Sequence, residues 1–281
     1  MKKLLILVLL LVIPLNAQEK IALKHQKWKL KSYKENRVLI SKEEGVWLDN
    51  ISEPEMDLYK AQGDSITNKA MIICPGGGLF FSAYEKEGVK LAEKLASNGI
   101  TAIILKYRTY PREGSVIDWA ATLWDKPQMA IDSAKIILPY SSKDALTAIE
   151  VMRNSASKYN IDPNKIGLMG FSAGGAVTME ATYTSNSKNQ PNFIAPIYPW
   201  MDIVDQRKVP TNKPPAFISC ANDDPLKLAA ASVQIYQDWI QAEAEAELHM
   251  FSKGGHGYGM NKMNIPVDSW SQLLVEWILA L

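Results

Sequence analysis

Six short apolar runs constrain this chain more than any other feature of it. They are "MIIC" (71–74), "ITAIILKY" (100–107), "KIGLMGF" (165–171), "FIAPIYP" (193–199), "PAFISC" (215–220) and "ELHMFS" (247–252). A strand with one solvated face alternates apolar and polar residues, and these runs do not alternate cleanly. Burial on both faces explains them, as in a parallel sheet covered by helices. Between and after the runs lie stretches of helical spacing. In "EKEGVKLAEKLASNG" (85–99), Val89, Leu91, Ala92 and Leu95 share a face. "SKDALTAIEVMRNSASKYN" (142–160) follows Ser142, a suitable N-cap. "AGGAVTMEATYT" (173–184), "DPLKLAAASVQIYQDWIQAEA" (224–244) and "VDSWSQLLVEWILAL" (267–281) complete the set. Alternation of strand and helix predicts an open α/β sheet, mostly parallel, with helices on both faces. Residues 18–65 carry strand-like segments between polar turns and are expected to add an antiparallel edge. No linker sets them apart as a second domain.

The ends of the chain and its totals bound the rest. Met1-Lys-Lys precedes an apolar run from Leu4 to Leu15, followed by Asn16-Ala17 and then polar residues. That order predicts a secretory signal, residues 1–17, cut near Ala17 to leave residues 18–281 outside the cytoplasm, secreted or periplasmic. The run is short against the roughly 20 residues of a membrane span, and an uncleaved anchor is the alternative. The formal net charge of +1 gives no electrostatic case for nucleic acid or an acidic membrane as partner. Cys74 and Cys220 each end an apolar run and are expected to be buried, reduced and unpaired. Two cysteines and three histidines without paired spacing offer no metal site.

In open α/β sheets, ligands gather at the carboxyl ends of the strands. Five of those ends carry candidate groups. "MGFSAGGAV" (169–177) holds Ser172 in G-x-S-x-G spacing, the pattern of a nucleophile on a sharp strand-to-helix turn. Pro75-Gly76-Gly77-Gly78 follows "MIIC", and glycines let backbone N–H groups approach a ligand closely. Gly77, Gly78 and Ala173, the residue after the serine, are the candidate donors to an oxyanion. Tyr107 and Arg108, at a third strand end, could brace that loop. After "AFISC", Asp223 and Asp224 precede Pro225. One can cap the next helix while the other orients a histidine, and Asp223 is preferred for the histidine. His25 lies in a charged stretch and reads as a surface residue. His249 lies inside a strand and reads as structural. His256, in the glycine-rich loop "KGGHGYG" (253–259), stands where a general base belongs. The order Ser172, Asp223, His256 is that of the α/β-hydrolases, and chemistry of this kind needs no cofactor.

Together, "ICPGGGLFF", "IGLMGFSAGG", "IYPWMD", "ANDDPL" and "FSKGGHGYG" resemble secreted bacterial carbohydrate esterases of the α/β-hydrolase fold, the acetyl xylan esterase-like group, from about Glu53 to Leu281. The resemblance implies Ser172, Asp223 and His256 as a catalytic triad, Gly77, Gly78 and Ala173 as the oxyanion hole, and an acylated carbohydrate as the substrate. Pro75 replaces the histidine that precedes the triple glycine in many lipases, which fits the carbohydrate branch. Phe80, Phe171, Trp200 and Tyr258 flank the motifs and are expected to contact substrate. Trp119 and Trp124 lie in a long insertion, residues 111–140, expected to act as a lid or binding element. Trp239, Trp270 and Trp277 sit on helical patterns as core. A serine peptidase of the oligopeptidase type, a general carboxylesterase on the same fold and a non-catalytic binding protein are the competing readings. The peptidases usually carry a large propeller domain, which 281 residues are not expected to hold, and a non-catalytic protein has no need of the whole constellation.

Overall fold

The computed structural model describes residues 19–63, 65–205 and 208–281, apart from the side chains of 122–124. The expected signal segment and the side chain of Trp124 lie outside the described residues. The first strands are β1 (Glu19–Ala22), β2 (Asn36–Ser41), β3 (Gly45–Asp49), β4 (Glu55–Tyr59), β5 (Ala70–Cys74) and β6 (Phe81–Ser82). From there helices and strands alternate: α1 (Lys90–Ser97), β7 (Thr101–Lys106), α2 (Val116–Asp125), α3 (Pro127–Asn154), β8 (Ile166–Phe171) and α4 (Ala173–Thr184). The chain closes with β9 (Phe193–Ile197), β10 (Ala216–Ala221), α5 (Ala229–Gln241), β11 (Ala246–Phe251) and α6 (Trp270–Ala280).

Eight strands form one sheet in the order β1-β4-β7-β5-β8-β9-β10-β11. From β7 to β11 every pairing is parallel, with Met71 opposite Ala102 and Cys74 opposite Gly170. β1 and β4 add the expected antiparallel edge. Strand residues divide between two cores. Ala70 and Ile72 face the side covered by α3, α4 and α5, with Ile149, Val177 and Trp239. Met71 and Ile73 face the side of α1 and α6, with Leu91, Leu95, Trp270 and Trp277. The three tryptophans expected in the core are buried there.

Two expectations fail. Not all of the N-terminal strands join the main sheet: β2 and β3 pair with β6 in a separate three-stranded sheet. Val46 N donates to Glu85 Oε2 at 3.0 Å, docking this sheet on the turn before α1. Nor is Ser142 an N-cap, for α3 begins at Pro127 and runs through Pro139. An internal proline removes a hydrogen bond and normally stops a helix. Here the burial of Ile137, Leu138, Ala145 and Ile149 along one face offsets that cost. The residues expected as a lid are therefore α2 and the first half of α3.

Cys74 and Cys220 are buried and free. β8 and β9 separate their strands, which puts them about 14 Å apart at ~4.8 Å per strand, beyond disulfide reach. Burial pushes both thiols up, that of Cys220 to about 11. At about pH 8 neither is a ready thiolate. Native protein should therefore react slowly with a disulfide reagent, and denatured protein should release two thiols per chain. Denatured, unreduced protein that yields no thiols would contradict this strand order.

Candidate active site

Ser172 sits between β8 and α4 with φ 52° and ψ −116°, a conformation that costs energy for any residue with a side chain. Its neighbours show why glycine surrounds it. A Cβ on Gly170 would lie 2.1 Å from Gly174 O, and one on Gly174 would lie 2.0 Å from Cys74 O. The elbow therefore packs directly against the end of β5. Ser172 N donates to Ile197 O at 3.0 Å, and Trp200 N donates to Ser172 O at 2.9 Å, fixing the turn to the end of β9.

From the turn, Ser172 Oγ lies 3.0 Å from His256 Nε2. His256 Nδ1 lies 2.9 Å from Asp224 Oδ2. With Asp224 ionised, Nδ1 carries the proton and Nε2 accepts from the serine hydroxyl. The structure thus corrects the preferred acid from Asp223 to Asp224. Asp223 turns outward, where its Oδ1 accepts from Gly255 N at 2.8 Å and Lys253 Nζ stands 3.8 Å from Oδ2. The Gly255 hydrogen bond holds its carboxyl below the usual range. Asp224 turns inward and is buried. Its Oδ1 also accepts from Leu226 N at 2.8 Å. The turn-capping and histidine-orienting jobs, divided between two aspartates on sequence grounds, fall to one. The other histidines are elsewhere. His249 pairs with Glu247 at 3.0 Å and stacks on Phe217. His25 lies at the surface, partly covered, 2.7 Å from Glu53.

Opposite the serine, the loop after β5 carries Gly77 at φ 130° and Gly78 at φ 64°. A Cβ on Gly77 would meet Phe81 O at 2.1 Å. Both glycines border the cleft that holds Ser172 and His256. Ala173 opens α4, so its N–H has no acceptor within the helix. Tyr107 OH donates to Pro75 O and braces the loop as expected. Arg108 does not reach it. Its Nε bonds Asp144 of α3 at 2.9 Å in a fully buried ion pair. Glu87, missed in the sequence, does reach the loop: its Oε2 accepts from Gly76 N at 2.6 Å. Burial pushes the Glu87 carboxyl up, against the lowering pull of Lys86 and of these hydrogen bonds.

The cleft has a volume of about 440 Å³. Of the four residues expected to touch substrate, only Trp200 lines it. Phe80 is buried against Tyr110 and Trp119. Phe171 faces Trp270 on the α6 side of the sheet. Tyr258 is buried with its hydroxyl 2.9 Å from Ser219 Oγ. The aromatic wall comes instead from Trp47 of β3, stacked on Phe81 at 3.9 Å, and from Trp200. Lys86 and Glu44, paired at 2.7 Å, add a charged rim, and Leu226 and Lys227 close the side beyond Asp224. Leu226 and Lys227 were within reach of sequence reasoning, since they directly follow the acid. Among the described residues no group of three or more His, Cys, Asp or Glu is placed to hold a metal.

A mostly parallel sheet with a strained serine elbow, an acid and a histidine beyond the ends of β8, β10 and β11 is an α/β-hydrolase. The chain belongs to the dienelactone hydrolase family, which residues 57–272 match. Among curated proteins it is 24% identical over 250 residues to an acetylxylan esterase of Xylanibacter ruminicola, covering 76% of this chain and 46% of that one. It is 28% identical over 132 residues to endo-1,4-beta-xylanase B of Butyrivibrio fibrisolvens, covering 46% of this chain and 18% of that one. The chain thus spans less than half the length of either relative. Among solved structures, an acetyl ester-xyloside bifunctional hydrolase from Caldicellulosiruptor lactoaceticus shares the fold with TM-score 0.62 and 23% identity, covering 82% of this chain and 89% of that one. The carboxylesterase Cest-2923 from Lactobacillus plantarum does so with TM-score 0.62 and 17% identity, over 88% and 98% of the two chains.

The two aspartates are separable by mutation. Asp224→Asn should lower turnover of p-nitrophenyl acetate by on the order of 10⁴, the scale for losing a histidine-orienting acid. Asp223→Asn should keep most of it. The reverse pattern would overturn the assignment of Asp224.

Proposed function

We propose that this chain is a secreted serine esterase that removes short acyl groups, acetyl foremost, from the hydroxyls of a carbohydrate such as xylan. The observation that carries this reading is the hydrogen-bonded series Ser172–His256–Asp224 opening into a cleft with the glycine loop across it. In this mechanism His256 Nε2 takes the proton of Ser172 as Oγ attacks the ester carbonyl. Asp224 holds the imidazole in place and stabilises its positive charge. The N–H groups of Gly77, Gly78 and Ala173 receive the negative oxygen that develops. His256 then protonates the departing sugar hydroxyl, and the C–O bond breaks to leave an acyl-serine. Water, deprotonated by the same imidazole, attacks the acyl carbonyl. The acid leaves and Ser172 regains its proton.

The substrate side rests on the cleft and on the relatives. Flat faces of Trp47 and Trp200 suit a sugar ring. A cleft of about 440 Å³ that holds a sugar beside the ester leaves space for a short acyl chain. The acetylxylan esterase relative points the same way. Export rests on residues 1–17 as sequence, with their basic, apolar and small-residue order. It would place the enzyme where polymers lie.

Ser172→Ala should abolish ester hydrolysis, a loss on the order of 10⁶ in turnover, with the fold intact. In wild type, kcat/KM should fall from p-nitrophenyl acetate to butyrate to octanoate, and acetylated xylan should release acetate. A tenth of wild-type activity retained in Ser172→Ala would remove the serine from the mechanism. Octanoate cleaved faster than acetate, with no acetate released from any acetylated glycan, would remove the carbohydrate substrate.

A further inference from the structure

A carboxylate is buried where a negative charge is least welcome. Glu87 is 3% exposed and borders the cleft in which the oxyanion would form. A buried charge costs several kcal/mol unless it is paired and hydrogen-bonded. Both Glu87 oxygens are satisfied, and by groups that belong to different parts of the site. Oε2 accepts from Gly76 N at 2.6 Å, at the root of the loop that carries Gly77 and Gly78. Oε1 accepts from Tyr198 Oη at 2.9 Å. Tyr198 Oη in turn accepts from Gly259 N at 3.1 Å, in the loop that carries His256. The tyrosine ring stands edge-on to the imidazole, with centroids 5.2 Å apart. One hydrogen-bonded chain, Gly76–Glu87–Tyr198–Gly259, therefore runs from the oxyanion loop to the base loop.

The backbone at Glu87 is shaped for this. Residues Tyr84–Val89 form a π-helical turn, a rare geometry that is frequent at functional sites. It sends three consecutive side chains to three different partners. Glu85 holds Val46 N of β3, Lys86 pairs with Glu44 on the rim, and Glu87 holds Gly76. Tyr198 is fixed as firmly. It sits at φ 37°, and its backbone N–H donates to Ser219 O at 2.7 Å, between the ends of β9 and β10. A Cβ on Gly76 would lie 2.8 Å from Glu87 Oε2 and 3.2 Å from Ser172 Cβ, so carboxylate, loop and nucleophile are in van der Waals register.

We propose that Glu87 is a positioning residue, which through Gly76 and Tyr198 sets the oxyanion donors and His256 at a fixed distance on either side of Ser172. It takes no proton and touches no substrate. Its contribution is geometric: misplacing a reacting group by about 1 Å can cost 10² in rate. The proposal rests on the esterase reading above, and its effect belongs in kcat rather than in KM, because substrate binding uses the aromatic wall.

The experiment compares Glu87→Ala, Glu87→Gln, Tyr198→Phe and the double variant Glu87→Ala/Tyr198→Phe by p-nitrophenyl acetate kinetics, with thermal unfolding to confirm that each is folded. Glu87→Ala should lower kcat by about 10- to 100-fold, with KM within about threefold of wild type. Glu87→Gln keeps an acceptor for Gly76 N and should recover part of the loss. The double variant should fall no further than Glu87→Ala alone, because the two side chains act as one chain. Folded Glu87→Ala with kcat within about twofold of wild type, or losses that add in the double variant, would overturn the proposal. If Glu87→Ala does not fold, Glu87→Gln and Tyr198→Phe decide: wild-type kcat in both overturns it. Wild type that reacts with a fluorophosphonate at Ser172 but cleaves no ester would sink the esterase reading alone. The labelling rates of the same variants, expected in the same order, would then decide on Glu87.

Discussion

Everything at the site depends on one close approach, between the first turn of α4 and the end of β5. Gly174 stands where even a methyl group would collide with Cys74 O, at 2.0 Å, and Pro75 O, at 2.5 Å. Parallel strands β5 and β8 are hydrogen-bonded neighbours, with Cys74 opposite Gly170. Their chains must both turn at the same level, and there is space for only one set of side chains between them. Glycine on both sides resolves the crowding. It brings the Gly76–Gly78 loop against the start of α4, with Gly77 and Gly78 bordering the same cleft as Ser172, which is held in a strained conformation. A strained nucleophile beside fixed dipoles is preorganised, so little reorganisation is needed when charge develops.

Around that contact the polar groups are arranged in layers. The inner series, Ser172–His256–Asp224, is the hydrogen-bonded path along which the proposed mechanism moves the proton. Beneath it, Glu87 and Tyr198 join the loops that carry the glycines and the histidine. Farther out, the buried Arg108–Asp144 pair ties the end of β7 to α3, and Tyr107 holds Pro75 from the same strand end. Each layer is anchored on a strand end or a long helix rather than on a free loop, which keeps reacting groups within the tolerance that catalysis requires.

Much of this was legible in the sequence, and the misses share a cause. Ser172 and His256 were readable because glycine spacing and chain order are local facts, and unalternating apolar runs report a sheet covered on both faces. Asp224 was not separable from Asp223, because two adjacent acids on one turn differ only in direction, and direction is set by packing against the His256 loop. Phe80, Phe171 and Tyr258 failed as substrate contacts for the same reason: each is next to a site residue in the chain and points away from the cleft in space. Trp47 was invisible because it reaches the site on a three-stranded sheet that folds back from the N-terminal part of the chain. The first half of α3 read as an insertion ahead of an N-cap at Ser142, because the cost of Pro139 inside the helix is offset by burial that no window of sequence displays.

In the proposed mechanism Ser172 is an activated nucleophile and the rest of the site serves it. Incubation of the folded protein with a fluorophosphonate, followed by peptide mapping by mass spectrometry, tests this directly. One adduct per chain is expected, on the peptide bearing Ser172, formed far faster than on denatured protein. No adduct under those conditions, or an adduct confined to another serine, would contradict it.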